Sequence, residues 1–263
     1  MIRDITIGQY YPTYSIIHQL DPRVKINGTF AFILSIFFVG NFYGYIVAAL
    51  FLFGTIRISK VPVKFILKGL KAIFMILLFT VLLNMFLTPG ENVLLKAGPL
   101  TVTDKGFELA IFMAIRLIFL IMGSSLLTLT TSPIQLTDGI ERLLSPLTKI
   151  KVPAHEIAMM MTIALRFIPI LLEETDKIMK AQMARGADFD SGNIIKKAKS
   201  LIPLLVPLFI SAFRRADDLA MAMEARCYRG GEGRTKLKEL IYERKDFIAY
   251  CILLAYFVMI IIV

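Results

Sequence analysis

Ala181-Gln182-Met183-Ala184-Arg185-Gly186 returns further along the chain as Ala222-Met223-Glu224-Ala225-Arg226-Cys227, and both copies lie in a polar stretch, Met179 to Gly231, between hydrophobic segments. Each sets an alanine-arginine pair where a helix runs out. Upstream of the first copy, Ile157, Met161, Ala164, Ile168, Leu171, Leu172, Ile178 and Met179 recur in steps of three and four, the period of one helix face. Arg166, Glu173, Lys177 and Lys180 fall on the other side. The pattern predicts a helix over 154–186, kinked at Pro169, where a backbone donor is missing, and ended by Gly186 in a left-handed cap. A cation in that last turn is favoured by the helix dipole.

After a turn at Asp188-Phe189-Asp190-Ser191-Gly192, the apolar block Leu201 to Phe213 is too short for an ordinary span and is broken by Pro203 and Pro207. It reads as the interfacial half of a second helix, about 194–228. The charged half carries Arg214 and Asp218 at i,i+4 and ends at Arg226-Cys227. A shorter amphipathic segment, 133–150, precedes both. Each long helix therefore has an apolar, proline-containing first half and a charged second half that delivers an arginine. Read singly, each arginine is an ordinary dipole partner on a solvated face; two in matched settings point to a shared task.

The rest of the chain is a membrane protein. Its residues are 57% hydrophobic, above the roughly 45–50% of soluble domains. The net charge of +10 sits beside apolar runs without interleaved aromatic residues, so it fits positive-inside topology rather than nucleic-acid binding. From Ile26 to Ile56 there is no charge, a stretch that as one helix would measure ~46 Å against a ~30 Å hydrocarbon core. Gly40-Asn41-Phe42-Tyr43-Gly44 breaks it into two short spans, 26–40 and 43–57, with basic flanks at both outer ends. Further spans are expected at 72–89 and 107–131, joined by a loop of balanced charge from Glu91 to Glu108, and at 246–263. The expected architecture is thus an all-α polytopic membrane protein of about five transmembrane helices. A membrane domain, 1–131, precedes cytoplasmic helices in 132–245, where most of the chain's charge is found. The amino terminus is expected inside, without a removable signal peptide, and the carboxyl terminus outside.

Chemistry-bearing patterns are sparse. No Gly-Lys dipeptide occurs, so there is no Walker A loop; His18 and His155 lack metal-ligand spacing to any cysteine or acid; no acid-base or nucleophile set is evident. No cofactor or metal is expected on the chain. Cys227 and Cys251, on either side of a membrane boundary, read as free thiols. Arg116, about nine residues inside its span, is a functional-site candidate by its depth, or else a side chain that packs inward against polar groups.

These residues resemble the transmembrane T component of energy-coupling factor transporters, importers of vitamins and metal ions in the ATP-binding cassette class. The resemblance covers nearly the whole chain. It rests on Leu20-Asp21-Pro22-Arg23, on Arg166-Phe167-Ile168-Pro169 with Glu173 and the Ala181 to Gly186 motif, and on Ala222 to Gly230. It implies that Arg185 and Arg226 enter grooves on two ATPase subunits, with Ala184, Gly186 and Ala225 as small neighbours that allow close approach. Cys227 stands where the family pattern has glycine, a difference that suits a heterodimeric ATPase pair. The resemblance further implies a separate membrane-embedded substrate-binding S subunit, and ATP and Mg held by the ATPases. The main alternative is a permease that binds its own substrate through Arg116 or Asn84; another threads 155–172 and 201–213 through the bilayer.

Overall fold

The structure, a computed structural model, describes residues 10–89, 93–97, 100–189, 193, 195, 199–230 and 239–263. Two compact units emerge, one from Gly8–Gly139 with Glu239–Val263, the other from Ile140–Lys238. The first contains α1 (Ile16–Gln19), α2 (Pro22–Phe38), α3 (Phe42–Ser59), α4 (Val63–Leu87), a hairpin of β1 (Val93–Ala97) and β2 (Leu100–Thr103), α5 (Asp104–Thr130) and α9 (Arg244–Ile262). Helix α6 (Pro133–Leu144) leads from it to a 3-10 turn (Ser145–Ile150), α7 (Ala154–Ala184) and α8 (Ile202–Ala225) in the second unit. The all-α polytopic architecture holds. Among the described residues α3, α5, α7 and α9 are long and apolar enough to cross a membrane, and α4, bent by 62° between Val63–Lys71 and Ile73–Leu87, is a fifth if the bent pair is one span.

The Gly40 interruption separates two short helices, α2 and α3, each packed against α5 and α9. At 17 and 18 residues, α2 and α3 measure about 26 Å each, slightly less than the ~30 Å hydrocarbon core. Helix α2 starts four residues ahead of the expected span because Asp21 caps it, accepting the Arg23 N–H at 2.8 Å, and Pro22 occupies the first helical position. Helix α4 likewise starts at Val63 rather than 72. Lys64, Lys68 and Lys71 are helical but fall outside any uncharged run. At the other boundary, Thr103 Oγ1 accepts the Gly106 N–H at 3.2 Å and starts α5 at Asp104. The segment expected as a plain loop carries the antiparallel pair β1–β2, with Ala97 opposite Leu100.

Helices α2, α3, α5 and α9 share one core, built around Phe32, Tyr45, Leu52, Phe119, Met122 and Tyr256. Phe51 stacks on Tyr256 at 4.2 Å between centroids, and the Tyr256 hydroxyl meets Ser35 Oγ at 2.8 Å, so the ring's polar tip is satisfied inside the bundle. Gly123 allows α5 to approach α2: a Cβ there would stand 2.7 Å from the Phe32 ring. Large apolar side chains such as Phe38, Met75 and Ile262 remain exposed, which in hydrocarbon costs little.

One end of this bundle is tied by polar contacts. Asp246 Oδ1 accepts the Asp21 N–H at 2.9 Å and Oδ2 accepts the Glu243 N–H at 2.8 Å, joining the start of α9 to the cap of α2. Arg23 forks onto Asp21 at 2.7 and 3.0 Å, donates to the Leu240 carbonyl and lies 3.8 Å over the Tyr242 ring. Buried Lys25 donates to the carbonyls of His18 and Thr130, both at 3.0 Å. The Asp21-Pro22-Arg23 run therefore ties α2 to residues 240–242 and the start of α9, and Lys25 adds α1 and the end of α5.

Candidate functional site

In the second unit α7 and α8 lie antiparallel. Gln182 near the end of α7 donates to the Pro203 carbonyl at the start of α8, and Glu174 meets Ser211 and Arg215 one helical stretch further along. At the far end His155, in the first turn of α7, meets Tyr228 just beyond α8. The register has a geometric consequence. Arg185 closes α7 beside the beginning of α8, whereas Arg226 closes α8 beside the beginning of α7. The two arginines are separated by about the length of α8, whose 24 residues span ~36 Å.

The two tips are built alike. Arg185 has φ −88° and ψ 6°, Arg226 has φ −91° and ψ 11°; each is followed by a left-handed residue, Gly186 at φ +88° and Cys227 at φ +57°. At the first tip Arg185, Gly186 and Ala187 donate their N–H groups to the carbonyls of Gln182, Met183 and Gln182 at 3.0, 3.0 and 2.9 Å. At the second, Arg226, Cys227 and Tyr228 donate to Met223, Glu224 and Met223 at 3.2, 2.8 and 3.0 Å. This is one helix-terminating turn made twice, with the carbonyls of the last turn satisfied. Cysteine in place of glycine does not change the path of the backbone.

The arrangement presents guanidinium groups outward. Ala184, Arg185 and Gly186, like Ala225, Arg226 and Cys227, are exposed, and neither arginine makes an ion pair or side-chain hydrogen bond among the described residues. The residue before each arginine, Ala184 or Ala225, carries only a methyl group. A planar fork with five donors in that setting is ready for carboxylates or carbonyls on another molecule.

The brace between the helices is Glu174. Its Oε1 accepts from Ser211 Oγ at 2.7 Å, while Oε2 accepts from Arg215 Nε and a terminal nitrogen at 3.2 and 2.8 Å. Sequence reasoning singled out Glu173 and the Arg214–Asp218 pair instead. All three are exposed, and Arg214 and Asp218 form no ion pair among the described residues, since an exposed i,i+4 pair gains too little to fix two long side chains. Glu174 was legible only as the neighbour of Glu173. The apolar stripe of α7 is also left largely open: Met161 is 37% and Ile168 38% exposed, and on α8 Phe209 and Phe213 are 61% and 68% exposed.

Arg116 lies apart, in the membrane unit, and packs inward. It donates to the carbonyl of Val39, the residue that ends α2, at 3.1 Å, and its Nε is buried without a partner among the described residues. Asn84 donates to the Thr80 carbonyl one turn back at 2.8 Å. Cys227 and Cys251 are both free thiols. The expected turn at 188–192, the start of the second long helix at 194 and the glycine stretch 230–233 extend outside the described residues.

Comparison with known proteins gives the family of the chain. The family described as CbiQ, cobalt transport protein, matches residues 13–237. Proteins named energy-coupling factor transporter transmembrane protein EcfT are similar along almost the whole chain. That of Clostridium kluyveri is 63% identical over 250 residues, 95% of this chain and 93% of the relative. That of Ruminiclostridium cellulolyticum is 61% identical over 246 residues, 94% and 92% of the two chains, and that of Bacillus subtilis 50% identical over 246 residues, 94% and 93%.

Proposed function

This chain belongs to the CbiQ/EcfT family of energy-coupling factor transporter transmembrane proteins, and on that footing we propose that it is a non-catalytic coupling subunit. It links ATP hydrolysis by two ABC-type ATPase subunits, an unequal pair, to movement of a membrane-embedded substrate-binding S subunit during vitamin or metal-ion uptake. ATP and Mg are held by the ATPases. The amino terminus and residues 132–245 face the cytoplasm, where those subunits are.

The observation that carries this reading is the pair of matching arginine turns held ~36 Å apart at opposite ends of one antiparallel helix pair. Two separated, outward-facing guanidinium plugs on a single braced element suit two docking partners whose closure must move one lever. Ala184, Gly186 and Ala225 leave room for a groove wall; Cys227 differs from Gly186 and gives the second tip its own surface. The open apolar stripes of α7 and α8 supply a surface for the bilayer interface and the S subunit.

A permease that binds its own cargo is less well supported, because Arg116 and Asn84 both donate to backbone carbonyls of the bundle. The test is the double substitution Arg185→Glu with Arg226→Glu. The protein should insert and remain folded, yet lose ATPase association and uptake. Unchanged assembly and uptake would sink the proposal, and cargo binding by the purified chain alone would favour the permease.

A further inference from the structure

We infer that Tyr228, His155 and Glu141 form a side-chain clamp that positions Arg226, doing at the second tip what glycine does at the first. The inference rests on the coupling role proposed above and adds three positioning residues to it.

The two tips share a backbone path but not a residue suited to it. Gly186 takes φ +88° with nothing within 4 Å of the position a Cβ would fill. Cys227 takes φ +57° with a Cβ that crowds the following carbonyl, so the left-handed turn is disfavoured about tenfold against its alternatives. A contact beyond the helix would offset that cost.

That contact begins at the very next residue. The Tyr228 N–H closes the turn on the Met223 carbonyl at 3.0 Å, and its hydroxyl reaches His155 Nε2 at 3.4 Å. His155 Nδ1 lies 3.1 Å from Glu141 Oε1 on α6. The carboxylate only accepts, so His155 donates to it from Nδ1, and in that tautomer Nε2 accepts from the Tyr228 O–H. Donors and acceptors match along the row. The histidine and glutamate side chains are only 24% and 15% exposed, which limits competition from water. At the first tip the equivalent residue is Ala187, which has no polar side chain and, beside Gly186, needs none.

The experiment follows amide hydrogen exchange at both tips in the full chain purified in detergent, with ATPase co-purification from cells co-expressing the transporter's two ATPase subunits. Tyr228→Phe removes one hydrogen bond of ordinary strength, so exchange at Cys227 and Tyr228 should rise about fivefold while Gly186 and Ala187 keep their rates. Adding Cys227→Gly should restore slow exchange and ATPase yield, because glycine adopts the turn unaided. His155→Gln, acting from the other helix, should reproduce the loss and the rescue. Unchanged exchange at the second tip, or a loss that Cys227→Gly does not repair, overturns the clamp. Arg226→Glu in the same co-purification separates the two ideas. If it leaves ATPase yield intact the coupling role fails, while exchange in Tyr228→Phe still decides the clamp.

Discussion

Replacing Glu174 with alanine should loosen the helix pair without touching either tip. The ion pair with Arg215 is partly exposed, 41% and 24% for the two side chains, and so contributes only about 1 kcal/mol. The Ser211 hydrogen bond, at 2.7 Å to an ionised acceptor, adds about 1 kcal/mol after allowing for that exposure. The total of about 2 kcal/mol corresponds to about thirtyfold in the opening equilibrium, by the rule that 1.36 kcal/mol is tenfold. Amide exchange across residues 207–215 of α8 reads that opening directly. A double-mutant cycle with Arg215→Ala should return a coupling of about 1 kcal/mol, since the two groups are in direct contact. Pulsed dipolar distances between labels at Met183 and Glu224 should broaden in the variant. Uptake should fall more than ATPase association, because the tips remain intact while the lever bends. Exchange and distance distributions identical to those of the parent protein would refute the claim that Glu174 braces the pair.

Gly186→Ala places a methyl group in open space, so its effect is backbone strain alone, about 1–2 kcal/mol at φ +88°; ATPase affinity in a titration of the reconstituted chain should drop about tenfold. Asp246→Ala strands the N–H groups of Asp21 and Glu243 where α9 meets α2, at a cost of about 3 kcal/mol, and should lower the melting temperature in detergent while leaving tip exchange unchanged. Gly123→Val drives a side chain against the Phe32 ring, 2.7 Å from the added Cβ, and should cost about 1–3 kcal/mol in the same melting assay.

Much of this layout can be read in the sequence because its signals are local. The Ala-Arg pairs with Gly186 mark helix ends, Pro169 and Pro207 mark where apolar halves begin to turn polar, and Gly40 with Asn41 divides a run too long for one span. What escapes is what depends on contact across the chain. Helix starts at Pro22 and Val63 lie among lysines and arginines, so an uncharged window begins several residues too late, while the Asp21 N–H finds its acceptor as far away as Asp246. Strands β1 and β2, five and four residues long, are too short for their pattern to stand out from a loop of balanced charge. Helix α7 has the length and apolarity to cross a membrane, and its sequence alone leaves it open to being threaded there. The antiparallel register that sets Arg185 and Arg226 at opposite ends rests on Gln182, Glu174 and His155, none of which carries a periodic signature. Even Cys227, which departs from the glycine of the first tip, gives no local hint that Tyr228 finds a partner on another helix.

The most direct measurement replaces Arg185, Arg226 and, as a control at mid-helix, Ser211 one at a time with a photoreactive amino acid, then irradiates membranes containing the assembled transporter. Positions 185 and 226 should each cross-link to an ATPase subunit, the two to different partners, and position 211 to neither. Cross-links from 185 and 226 only to lipid or within the chain itself, with assembly otherwise intact, would contradict the coupling role.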